Sequence, residues 1–136
     1  MTTTTTTLRG ERTLTELDHV RLGKLLDERA HPGLEALLDS AEVLRSREVP
    51  ADVVTMNSRV TIADLPSGRR HPLTICYPQD ADPAAGLVSV LSPVGMSLIG
   101  LRVGAVASWV LPSGEEHRAE VVEILFQPEA SGDYTT

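Results

Sequence analysis

The chain is poor in cysteine, in aromatic rings and in positive charge, and each shortage removes a class of function. A single cysteine, Cys76, among 136 residues excludes an intramolecular disulfide and any zinc cluster built from several thiolates. One Trp, two Tyr and one Phe offer no platform on which unpaired bases could stack. Twelve Lys and Arg face 19 Asp and Glu, a net charge of −7, which is the wrong sign for a surface that neutralises phosphates. Direct nucleic-acid binding is therefore not expected. No apolar run approaches a membrane span, and the N-terminus lacks an apolar signal segment. A soluble, cytoplasmic protein with no membrane partner is expected. Cys76 sits in "HPLTICYP", where alternation places it in a strand opposite Ile75 and Tyr77. A nucleophilic thiol needs a neighbouring base, and none is local, so a reduced structural thiol is expected.

What is present suits one domain with a small appendage: 41% of residues are hydrophobic, enough for a core. Residues 1–12 carry six consecutive threonines after Met1, a low-complexity polar run expected to be disordered. Thr13 and Glu16 have the spacing of a capping box. Residues 13–46 then carry two helical patterns broken at "HPG" (31–33), where Pro32 lacks an amide donor and Gly33 allows a reversal. The expected hairpin is antiparallel, packs through Leu17, Leu25, Leu37 and Leu44, and is about 25 Å long. Residues 47–54 read as a linker. From there to 127 the period becomes 2, with strands expected at 56–62, 73–77, 87–91, 105–111 and 117–127. "MSLIG" supplies the one helical turn. The fold class is α+β: a short helical hairpin, then an antiparallel sheet curled around one short helix, its final strand central, with a polar tail from 128 to 136.

"LSPVGMSLIGLRVG" (91–104) places Gly95 and Gly100 at the spacing of a phosphate-binding loop. Such a loop needs Lys and then Ser or Thr after its second glycine. Leu101 and Arg102 stand there instead, and Met96–Ile99 is apolar, so a packed turn and short helix is the reading. His19, His31, His71 and His117 lack metal-ligand spacing. Ser92 and Ser97 lack the context of a nucleophile elbow. Asp80 and Asp82 lack the further oxygen ligands of a calcium loop. No catalytic residue, metal or cofactor is expected.

"PADVVTMNSRV", "YPQDAD…GLVSVLSPVGMSLIGLRVG" and "QPEASGDY" together resemble the regulator of nucleoside diphosphate kinase family, called Rnk, over nearly all of residues 13–134. The stretch "VSVLSPVGMSLIGLRVG" also resembles the C-terminal domain of the Gre transcript-cleavage factors. The resemblance implies a coiled-coil hairpin, an FKBP-like second domain and binding to RNA polymerase at its secondary channel. In Gre factors the Ser-Pro loop helps contact the channel rim, which nominates Ser92, Pro93 and Val94. Gre factors commonly have Asn or Asp before Ser-Pro, whereas this chain has Leu91.

Gre factors also present carboxylates at the hairpin tip. The corresponding turn here, "DERAHPGLEA", offers Asp27, Glu28, His31 and Glu35. The expected hairpin has roughly half the Gre length that the resemblance implies, so its tip stops short of the active centre. The implied function is a non-enzymatic regulator that binds polymerase, competes with Gre factors, stimulates no cleavage and affects nucleoside diphosphate kinase indirectly. Two alternatives stand beside it: a peptidyl-prolyl isomerase, and an adaptor that binds the kinase itself. Tyr77, Trp109 and Phe126, all at strand positions, are expected in the core rather than around a proline pocket.

Overall fold

The structure, a computed structural model, describes residues 12–28 and 30–132. The expectation of a disordered start falls, apart from Arg12, outside the described residues, as does the end of the tail. A short strand, β1 (Thr13–Thr15), leads into α1 (Glu16–Glu28), followed by α2 (Pro32–Ser40) and strand β2 (Glu42–Leu44). The sheet region holds β3 (Arg59–Asp64), β4 (Arg70–Cys76), β5 (Leu87–Ser89), α3 (Pro93–Leu98), β6 (Val106–Val110) and β7 (Glu116–Phe126).

Both helices are shorter than expected because their outer ends become strands. Residues 13–15 pair in parallel with 42–44, and Thr13 N–H donates to the Gly100 carbonyl at 2.9 Å. Thr13 is thereby committed to extended backbone, and helix capping passes to Thr15, whose hydroxyl accepts from Asp18 N–H at 2.9 Å. At the second start, the His31 ring caps α2 by accepting from Leu34 N–H at 3.1 Å. The His19 ring meets the Leu38 carbonyl at 3.1 Å, which sets the start of α1 against the end of α2. The buried seam is Leu22, Leu34 and Leu37, joined by Leu14 from β1. Leu17, Leu25 and Leu44, expected in that seam, are only half-buried.

The five-stranded sheet has the order β5-β4-β3-β7-β6. It is mixed rather than antiparallel: β5 runs parallel to β4, reached by a crossover through "PQDADPAAG" in which two prolines start one-turn helices at 78–80 and 83–85. The central strand is β3, flanked by β4 and β7. The nearly continuous apolar run of β7 misled here, since Leu125 and Phe126 point into solvent. The first expected strand starts late because "TMNS" is a turn: Asn57 has φ 66°, and Ser58 N–H donates to the Thr55 carbonyl.

Helices and sheet share one core, in which Leu14, Leu22 and Leu34 join Met56, Ile62, Ile75, Leu98 and Val121. Residues 47–54 are built into it rather than forming a linker: Val49, Val53 and Val54 are buried, and Val54 bonds Leu101 and Gly100 through its backbone. Covered from both faces, Ile75, Cys76 and Tyr77 are all buried despite their alternating directions.

A polar joint crosses this core. The Asp18 carboxylate, fully buried, accepts from Met56 N–H at 3.1 Å through Oδ2. Its Oδ1 has no hydrogen-bond partner among the described residues. Burial raises this carboxyl to about 6, the nearby Glu129 charge adds to the rise, and the Met56 bond and Arg21 oppose it. Burial and the Asp18 charge push the Tyr77 hydroxyl up to about 12, with Arg21 opposing. Glu129, also buried, accepts from the Thr55 hydroxyl at 2.7 Å. The Gln127 amide donates to the Pro50 and Val53 carbonyls. The expected polar tail is thus a strap over its first residues, because Gln127 and Glu129 satisfy buried backbone and hydroxyl groups.

Candidate functional site

The turn into α3 is fastened before the helix begins. Ser92 donates its hydroxyl to the Ser89 carbonyl at 2.7 Å and accepts from Gly95 N–H at 3.1 Å. It is therefore the N-cap of α3, with Pro93 at the first helical position. The Ser89 hydroxyl accepts from Leu91 N–H, and Ser97 bonds back to the Val94 carbonyl. Pro93 is exposed at the crest, while Ser92 and Val94 are half-buried. Proline fixes its own φ and restricts the residue before it, so the crest is rigid and solvent-facing.

The two glycines that mimic a phosphate loop have packing roles. A Cβ on Gly95 would lie 2.1 Å from the Ser89 carbonyl oxygen, so only glycine lets α3 seat against the strand before it. Gly100 has φ +83°, donates to the Val54 carbonyl and accepts from Thr13 N–H. It closes α3 where no side chain fits comfortably. The α3 carbonyl end is held by Arg12, whose guanidinium donates to the Met96 and Ile99 carbonyls at 2.7 and 3.0 Å. A cation there also opposes the partial negative charge of a helix end. Arg12 lies in the run expected to be disordered, and no motif around it announces this contact.

A groove of about 350 Å³ opens between this turn and β6, lined among others by Ser92, Pro93, Met96, Trp109 and His31. The structure thus brings one hairpin-turn candidate, His31, beside two of the loop candidates. Asp27, Glu28 and Glu35 are exposed on the two helices and do not line that groove. His31 already serves as the cap of α2. Trp109 stacks on His117 with ring centroids 6.0 Å apart, and Phe126 is 48% exposed, so the expectation of three core aromatics holds fully only for Tyr77. Cys76 is a free, buried thiol, raised by burial and by the Asp80 charge. No helix among the described residues is long and apolar enough to cross a membrane.

A family profile described as "Transcription elongation factor, GreA/GreB, C-term" matches residues 49–126. The chain is 42% identical over 127 residues to the regulator of nucleoside diphosphate kinase of Escherichia coli (strain K12), covering 89% of this chain and 93% of that one. It is 38% identical over 91 residues to transcription elongation factor GreA of Thermotoga neapolitana, spanning 67% of this chain and only 57% of GreA. Among solved structures, a prokaryotic transcription elongation factor GreA/GreB from Nitrosomonas europaea superposes with a TM-score of 0.72 at 37% identity. That match covers 85% of this chain and 98% of the other. The chain belongs to the regulator of nucleoside diphosphate kinase family, a relative of the GreA/GreB transcription elongation factors that shares their C-terminal domain.

Proposed function

We propose that this chain docks on RNA polymerase at the rim of the secondary channel, competing there with Gre factors and stimulating no transcript cleavage. The observation that carries the reading is the Ser92–Val94 crest: an exposed Pro93 on a turn pinned by Ser89, Ser92 and Gly95. A rigid, exposed crest loses little entropy on docking, and the resemblance to Gre factors, whose Ser-Pro loop helps contact the channel rim, supports this reading. The absence of cleavage follows from reach. Helix α1 has 13 residues, about 20 Å at 1.5 Å per residue, and Asp27, Glu28 and Glu35 are exposed on two separate helices. The FKBP-like likeness of the sheet region is part of this reading and serves as a binding scaffold, since fold does not carry function. The effect on nucleoside diphosphate kinase runs through transcription, without direct contact.

The test is binding of the purified chain to core RNA polymerase with a Gre factor as competitor. Ser92 caps α3, so changing it confounds docking with stability. Pro93→Glu is cleaner, because an acidic residue suits a helix N-terminus. Pro93→Glu should leave the melting temperature nearly unchanged and weaken binding at least tenfold, about 1.4 kcal/mol. Unaltered affinity in the folded variant removes the crest from the site. A proline-peptide turnover assay and a kinase pull-down, both expected negative, test the isomerase and the adaptor.

A further inference from the structure

The two edges of the sheet are protected very differently. Strand β5 has three residues, and Leu87 at its start exchanges two backbone bonds with Asp82. Among the described residues the outer edge of strand β6, Val106–Val110, has no such backbone bonds, although α3 packs near the strand. The bonds Val121 N–H to Ala105 O and Leu111 N–H to Glu115 O fix the alternation of the β6–β7 ladder. Ala107 and Trp109 therefore turn their backbone groups toward β7, and Val106, Ser108 and Val110 turn theirs outward. Among the described residues none of these six outward groups is bonded. The groove of about 350 Å³ runs beside Ser108, Trp109 and Val110, so room exists along the strand.

Exposed edges are normally guarded by charge, proline or a bulge. The sequence here, Val-Ala-Ser-Trp-Val, contains no charge and no proline, and Val106 and Val110 are 51% and 58% exposed. It is also nearly symmetric about Ser108. We infer that two copies of the chain pair through β6, antiparallel about a two-fold axis at Ser108. In that register Val106 of one copy faces Val110 of the other, Ser108 faces Ser108, and Ala107 lies opposite Trp109, small against large. Residues with outward groups meet only one another, so all six groups on each copy are satisfied. No charge on β6 opposes the approach. The pairing rests on the β6 edge alone and goes beyond the proposed polymerase docking. Its contact is small, which places it among weak, concentration-dependent associations.

Sedimentation of the full chain from low to high micromolar concentration should show reversible dimer formation. Val110→Lys, at an exposed position, should keep the melting temperature and weaken self-association at least tenfold. Facing residues of a hydrogen-bonded antiparallel pair lie about 5.5 Å apart at Cα, within disulfide reach. Ser108→Cys should therefore cross-link two chains under mild oxidation much faster than Ser67→Cys, an exposed control away from this edge. A monomer at every concentration overturns the inference. So does a dimer that Val110→Lys leaves intact and Ser108→Cys fails to trap.

Discussion

At the scale of single residues, Asp18 and the glycines carry the clearest consequences. The folded Asp18 carboxyl lies at about 6 against an ordinary 3.8, so the folded state holds this proton more tightly than the unfolded state. Its unfavourable contribution is absent below about pH 4 and complete above about pH 6. Stability should therefore fall as pH rises through that window, by about 2–3 kcal/mol at 1.36 per pKa unit. Asp18→Asn keeps an oxygen for Met56 N–H and cannot ionise, so denaturant melts at pH 4 and pH 7 should show this slope removed. A variant whose profile runs parallel to the parent would refute the assignment. Two alanine substitutions should have opposite signs. Gly95→Ala drives a Cβ into the Ser89 carbonyl and should cost about 1–3 kcal/mol by overpacking. Gly23→Ala meets nothing within 4 Å in the middle of α1 and should gain about 0.5–1 kcal/mol. Thermal melts of the two variants check both signs.

At the scale of elements, the buried seam of α1 and α2 is the testable feature. Leu22→Ala or Leu34→Ala removes a fully buried side chain and should cost about 2–5 kcal/mol. Leu17→Ala, at a half-buried site, should cost clearly less by urea melt, and equal losses would mean the seam is misplaced. Sequence pattern made both helices and most of the sheet strands legible, but it put the break at residues 31–33, whereas Pro32 and Gly33 open α2 behind the His31 cap. It missed β1 and β2, because three-residue strands carry no periodicity and the partner that extends Thr13 is Gly100, 87 residues away in sequence. It missed the parallel placement of β5 because pairing direction depends on the path of the crossover. The Ser92–Pro93 turn was singled out by the resemblance to Gre factors, and its role as the cap of α3 came from the structure. Arg12 was not singled out, since its ligands are backbone carbonyls, which leave no mark in the sequence.

At the scale of the whole molecule, the two helices and the sheet share one core, and under the proposed docking the reach of the helices is set by their length. Mixed in large excess with backtracked transcription complexes, the chain should give no stimulated cleavage. Rapid cleavage lost on changing Asp27, Glu28 and Glu35 together to Ala would show that the hairpin reaches the active centre after all.

The strap at residues 127–129 has a consequence for synthesis. Thr55, Pro50 and Val53 leave the ribosome long before Gln127 and Glu129, which complete their hydrogen bonds. The central strand β3 likewise waits for β7. The α1–α2 pair therefore emerges beside a joint whose last partners have not yet been made, and its final seating is expected to be late. A chain ended after Phe126 should reproduce that unfinished state, with Thr55 keeping Ser58 but losing Glu129, the Pro50 and Val53 carbonyls losing the Gln127 amide, and the helices more open to protease than in the full chain.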